Sequence, residues 1–395
     1  MSTLKVDAIR HNSATSDAIT TAADGTCTAK LTSVGGGGLS HRNKVHNGSM
    51  IISQRYGTTA YTSPNSSKNY TIDRWAYWSN QASKASVQQV TDAPVGFYNS
   101  AKCTSLAATT AANGDWFGYL TSIEGQDIYD LAQGTANAKS FTLSFYVKSS
   151  VTGTWVGAIR AKASSPGRSY PFNYTISSAN TWERKSITIS GSTDGTWATG
   201  NSEGMNIWFD LGSGSTFHQT ANQWYSGNAT GASASPFIAV NGATWLVTGV
   251  QLEAGSVSTP FEHRSYSDEL ARCQRYYYMH HNTSKIGTEG NYRVACLGFS
   301  SGSTEVTGHI FFPVTMRANP SIDANSGVVG GIGYWRIGGG SFGGDKYIDN
   351  AWAVASPTTR STRIYATPRA SLSQGVCGYI DGRNDASYMA FSAEL

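Results

Sequence analysis

Apolar and polar residues alternate along most of the chain. In KSFTLSFYVKSS, Phe141, Leu143, Phe145 and Val147 fall on one face, the two-residue period of a strand with one buried side. The pattern recurs in MIISQRY, YTIDRWAYWS, ASVQQVT, TWVGAIRAK, WERKSITIS, MNIWFDLG and ATWLVTGVQLE, with Gly, Ser and Asn turn signals between them. In the last of these, Trp245, Val247, Gly249 and Gln251 should share one face, and Leu246, Thr248, Val250 and Leu252 the other. After Gly255 and Pro260 the period changes. Leu270, Cys273 and Tyr277 recur at three- and four-residue intervals, Asp268 and Glu269 come early, and Arg272 and Arg275 come late. With Ser265 placed three residues before Asp268, this predicts a capped helix over 266–281. A second set of strands follows in RVACLGF, EVTGHIFFPVTM, YWRIGG, TRIYATP and YMAFSAEL, joined by loops rich in Gly and Ser.

These patterns divide the chain into four. Residues 1–41 form a polar N-terminal arm in which LKVDAI and TCTAKLT could make two short strands, too few to bury a core. The arm closes in a hinge of four glycines, Gly35 to Gly38. Residues 42–262 read as a jelly-roll β-sandwich, 263–282 as a linking helix, and 283–395 as a second, sandwich-like β tip. The expected fold class is therefore all-β. Composition agrees: of 395 residues only 14% are charged while 43 are glycine and 12% aromatic, a mixture suited to short strands and tight turns.

Charge and cysteine narrow the chemistry. The net charge of +4 is mild and its Lys and Arg are scattered, so no basic stripe marks a nucleic-acid surface. No apolar run is long enough to insert in a membrane, and MSTLKVDAIRHNS does not resemble a secretory leader. Cys27, Cys103, Cys273, Cys296 and Cys377 are odd in number and far apart, which argues against a disulfide framework or a zinc site and for a reducing compartment. Catalysis lacks a defensible motif: Glu124, Asp127 and Asp130 are the densest acidic group, and a glycosidase needs two carboxylates placed across a sugar bond. His280 and His281 are adjacent and have no nearby ligand partner. No enzyme and no cofactor are expected.

Several stretches resemble tail-fibre proteins of tailed bacteriophages. They are STLKVDAIRHNS, NKVHNGSMIISQR, YTIDRWAYW, TANAKSFTLSFYVKSSVTGTW, NTWERKSITISGSTDGTW and, most specifically, VQLEAGSVSTPFEHRSYSDELARCQRYYY, together spanning roughly residues 1–282. FFPVTMRANPSI and FSAEL extend the likeness beyond it. The resemblance implies a virion protein assembled in the host cytoplasm. Its arm would dock on the phage tail or an adaptor protein, and its jelly roll would be similar to carbohydrate-binding modules. It also implies a homotrimer and a tip that touches a host surface glycan or outer-membrane protein. In such a trimer, helices could meet through Leu270, Cys273 and Tyr277. A structural calcium, as in similar jelly rolls, could use Asp73, Glu124 or Glu253. A decoration fibre of the head or neck and a polysaccharide-degrading tailspike remain open alternatives.

Sugar binding has the clearest physical case, because stacking aromatics and polar side chains match the apolar face and hydroxyl rim of a saccharide. The first β region offers Trp197, Trp208, Trp224 and Tyr225. The tip offers Tyr334, Trp335, Phe342, Tyr347 and Trp352 as the expected receptor-binding residues, and glycines flank Trp335 and Phe342 on both sides.

Overall fold

The alternating segments of residues 42–262 fold into two antiparallel sheets packed face to face. The computed structural model describes residues 6–10, 19–21, 23, 27–29, 41–62, 68–161, 167–232, 237–282, 293–324, 328–329, 332–333, 335–339, 346–348, 350–382 and 387–395. The first sheet has six strands in the order Glu183–Ile189, Phe141–Ser149, Thr244–Ala254, Ser100–Ser105, Ala85–Val90, Tyr61–Thr62. The second has seven, in the order Tyr225–Ser226, Arg168–Ile176, Gly153–Ala161, Glu203–Asp210, Phe117–Glu124, Trp75–Ser79, Lys68–Tyr70. Neighbours in the sheets are often distant in sequence, as in a jelly roll. Between the sheets lies one aromatic-rich core in which Phe141, Leu143, Phe145 and Val147, as expected, meet Trp75, Tyr119, Phe209 and Trp245. Trp155 belongs to this core, whereas Trp182 stays half-buried and donates its indole Nε1 to Asp92 at 3.1 Å.

The strand Thr244–Ala254 departs from simple alternation. Trp245 and Val247 point into the core, but so do Val250 and Leu252, which were expected on the opposite face. The register shifts between Ser144 and Tyr146, so Gly249 and Val250 together oppose Phe145. Gly249 adopts φ 61°, a left-handed conformation that favours glycine. This β-bulge inserts one residue and restores the inward face.

The helix is shorter than its spacing suggests. It runs Tyr266–Gln274, with Ser265 as its cap accepting from the Asp268 amide at 3.2 Å. The aromatic run beyond it is a strand, Tyr277–Asn282, paired with Tyr388–Ser392. β-favouring Tyr side chains and an available partner strand override the helical period there. The expected helix face is correspondingly revised: Cys273 and Tyr277 are buried within their own chain, and only Leu270 of the three keeps partial exposure.

The C-terminal region has its own core between a seven-stranded and a three-stranded sheet. It does not hang as a separate bead. Glu394, next to last in the chain, pairs with Arg55 at 3.2 Å and with the buried Arg74. The Arg74 guanidinium lies 3.4 Å from the Tyr276 ring centre, and that of Arg55 lies 3.6 Å from the Tyr277 ring centre. Arg275 grips Glu124 through two hydrogen bonds of 2.8 and 2.9 Å, and the Tyr276 hydroxyl donates to the same carboxylate. Breaking one partner of a buried pair costs about 3–5 kcal/mol, so these contacts clamp the two β regions together. At the other end of the chain, Ala8–Ile9, Ile19–Thr21 and Cys27–Ala29 form a small antiparallel sheet with Val6 and Ile9 exposed beside and within it. The four-glycine hinge lies outside the described residues.

Candidate functional site

The outer face of the seven-stranded sheet carries two surfaces. One end lies under the C-terminal region, where Lys68 and Tyr70 both donate to the Leu395 carbonyl. The other end holds a cleft. Alternation in Trp75–Ser79 sends Trp75 and Tyr77 into the core and leaves Ala76 and Trp78 on the outer side. Trp208 projects outward from a strand whose Ile207 and Phe209 point in. The register sets Ala158 opposite Trp208, Trp208 opposite Leu120, and Leu120 opposite Ala76. These four form a separate apolar cluster with Tyr70, Trp78 and Trp116 packed against it. Gly118 makes room for the indole: a Cβ there would stand 2.2 Å from the Trp208 ring.

Trp208 is held from two sides. Its Nε1 donates to Asp210 at 3.0 Å, and the Arg160 guanidinium lies 4.1 Å from its ring centre. Such a cation–π contact contributes about 2 kcal/mol when shielded from water. Trp78 meets Trp208 edge-on at 6.2 Å, and Trp116 meets Phe217 edge-on at 6.3 Å. Between them opens a cavity of about 220 Å³ lined by Trp78, Trp116, Arg160, Asn206, Trp208, Phe217 and Asn228. Trp208, 1% exposed, is the floor, while the half-buried Trp78, Trp116 and Phe217 keep surface for a ligand.

The polar atoms of this cavity are incompletely satisfied. Asn206 is 3% exposed and spends its amide on Glu203 at 2.9 Å, leaving its carbonyl Oδ1 without a protein partner. The Trp116 indole Nε1 is likewise buried and unpartnered. Each such group costs about 1–3 kcal/mol if left unpaired. Aromatic faces flanked by a free acceptor and a free donor present a saccharide with complements to both its ring face and its hydroxyls.

The residues expected in the tip fall elsewhere. Trp335 is fully buried and Trp352 is 5% exposed; they pack edge-on at 6.0 Å inside the C-terminal core. The glycines flanking Trp335 suggested an exposed loop, but both indoles fill the interior of a small sandwich, and neither is open to a sugar. Tyr347 retains partial exposure, with the Arg369 guanidinium 5.8 Å from its ring centre. Tyr334 and Phe342 lie outside the described residues. In the first β region Trp208 is in the cleft, whereas Trp197 and Trp224 pack edge-on against each other at 5.6 Å and Tyr225 sits on an edge strand. Trp78, Trp116, Phe217, Arg160 and Asn206 were not anticipated. A signal for Trp78 existed: RWAYWS carries aromatics on both faces of one strand, and the outer face of a half-solvated sheet has no packing need for tryptophan.

The carboxylates considered for calcium or catalysis are engaged by protein donors. Asp73 accepts from the Gln54 amide and side chain, and burial raises its pKa. Glu124 is held by Arg275 and Tyr276, and Glu253 accepts from Thr259 and Gln251. Asp130 pairs with Lys44 at 2.8 Å, and the Asp127 pKa is raised by burial and by Glu124 beside it. Among the described residues no cluster of three or more His, Cys, Asp or Glu could hold a metal. His280 is spent on the Ala295 carbonyl at 2.7 Å.

No protein-family model and no curated protein sequence matches the chain. Solved structures do. The enzymatically active domain of tailspike protein 4 from bacteriophage CBA120 aligns at 15% identity and TM-score 0.30, over 57% of this chain and 24% of that one. The chain thus spans about a quarter of that domain's length. A sugar-binding protein described as putative, from Bacteroides thetaiotaomicron, aligns at 12% identity and TM-score 0.33, over 54% of this chain and 100% of that one. A family 11 carbohydrate-binding module of a Clostridium thermocellum cellulase aligns at 14% identity and TM-score 0.26, over 52% and 98%. Scores this low leave the geometry of the cleft to carry any functional reading.

Proposed function

We propose that this chain is a non-catalytic glycan-binding protein whose binding site is the aromatic cleft on the outer face of the seven-stranded sheet. The carrying observation is the cavity between Trp78, Trp116, Trp208 and Phe217, with the Asn206 carbonyl and the Trp116 indole unpaired within it. Stacking supplies affinity without covalent chemistry, and the unpaired polar atoms select hydroxyl positions. With the sequence resemblance over residues 1–282, this reading extends to a bacteriophage tail fibre that attaches to a host surface glycan. Its arm docks on the tail or an adaptor, and three copies assemble into one fibre. Weak sites repeated in a trimer gain avidity on a polymeric glycan.

A glycan array tests the site. Full-length protein should retain a subset of bacterial surface glycans. Trp78→Ala should lose that binding by a factor of about ten or more, the scale of one lost stacking contact, while melting at nearly the wild-type temperature. Retention of the same glycans by Trp78→Ala and Phe217→Ala would remove the cleft from the account.

A further inference from the structure

The cleft contains a cation that its own fold offsets only at a distance, through the charges of Asp210 and Glu203. Arg160 is 9% exposed, lines the cavity and stacks over Trp208. Its one hydrogen bond among the described residues is a long one, Nε to the Ala229 carbonyl at 3.4 Å. No carboxylate among the described residues lies within ion-pair distance of it. The two acids whose charges reach it, Asp210 and Glu203, are bonded to other donors. Asp210 accepts from Trp208, from the Gly212 and Ser213 amides and from the Ser213 hydroxyl. Glu203 accepts from Ser122 and Asn206 and stands 3.6 Å from Lys68.

Burying an unpaired guanidinium is costly, and a sequence under no other demand would place a neutral side chain there. Resting on the glycan-binding reading above, we infer that the cleft takes an acidic saccharide whose carboxylate pairs with Arg160, with the sugar ring held among Trp78, Trp116 and Phe217. The planar fork of arginine matches a carboxylate through two parallel hydrogen bonds. The Asn206 carbonyl and the Trp116 indole supply an acceptor and a donor for the ring hydroxyls. Burial pulls the Arg160 pKa down to about 10, so the side chain is still charged at neutral pH and gains most from a bound counter-charge. A uronic acid and a nonulosonic acid both offer this chemistry.

The test is an array in which each acidic bacterial oligosaccharide is printed beside its carboxyl-reduced partner, with sulfated glycans as a third group. Wild-type full-length protein should bind acidic members roughly ten-fold or more better than their reduced partners, the factor expected of a charge-assisted hydrogen bond. Arg160→Gln should bring the two members of each pair to parity, and Arg160→Lys should keep part of the preference. Thermal unfolding of both variants guards against loss of fold, and the wild-type comparison stands even if a variant fails to fold. Equal wild-type binding to acidic and reduced partners would overturn the inference while leaving the cleft reading intact. Binding of sulfated glycans alone would overturn the carboxylate assignment. Binding of no glycan would overturn the cleft reading, and the inference with it.

Discussion

His46 is the residue where chemistry and packing are most tightly joined. Its ring lies 5.9 Å from that of Tyr276, in the crowded junction beneath the helix. Desolvation first, then the charges of Arg74, Arg264, Arg272 and Arg275, hold its pKa well below the usual histidine value. The sign follows directly. The unfolded chain takes up this proton once pH falls below about 6.5, whereas the folded chain resists it, so acidification favours unfolding. Stability should be flat with respect to this group above about pH 6.5 and should decline below it, by up to about 1.4 kcal/mol per pH unit until the folded pKa is reached. Denaturant melts of wild type and His46→Gln between pH 7.5 and 5 would check this, with the variant expected to lose part of the acid-side slope. Identical slopes would mean that His46 does not contribute to the loss of stability in acid. The same cationic crowd explains why Glu124, Glu269 and Glu394 are buried there: each carboxylate offsets a neighbouring guanidinium.

Elements differ in how far the sequence discloses them. Strands with clean alternation, such as Phe141–Ser149 and Ala85–Val90, are legible because one face must be apolar and the other need not be. The helix start is legible through Ser265, whose hydroxyl caps a defined backbone amide. Its end is not, because Leu270, Cys273 and Tyr277 satisfy the helical period while a partner strand more than a hundred residues away claims Tyr277. The bulge at Gly249 is hidden for a related reason: one inserted residue reverses every later position, and only the register against Phe141–Ser149 reveals it. The cleft was readable in part. Trp208 stood out among candidates, but Arg160 and Asn206 join it only through cross-strand register. Trp335 misled because glycine beside an aromatic marks both an exposed loop and a crowded core where a Cβ has no room, as at Gly298 and Gly308.

At the scale of the whole molecule, the pairs of Glu394 with Arg74 and Arg55 join the two β regions, and that of Arg275 with Glu124 fixes the linking segment to the first. The cleft lies on the same outer sheet face as this clamp, so its position relative to the C-terminal region is fixed. The fibre reading requires several such units on one axis. Light scattering of the full-length protein should give a mass of three 42.1 kDa chains. A monomer would confine the reading to a single binding module. Cys273 and Tyr277 are already occupied within the chain, so the fibre reading needs its contacts between copies on other surfaces, with Leu270 the one residue of the expected set that retains exposure.

If the cleft, and not the buried tryptophans of the C-terminal region, receives the glycan, only the cleft tryptophans should sense a bound sugar. Fluorine NMR of protein labelled at its 11 tryptophans, assigned by single Trp→Phe substitutions and titrated with a glycan selected on the array, tests this most directly. The resonances of Trp78, Trp116 and Trp208 should shift together and saturably, while those of Trp335 and Trp352 stay in place. Shifts confined to Trp335 and Trp352, with the three cleft tryptophans unmoved, would contradict binding in the cleft.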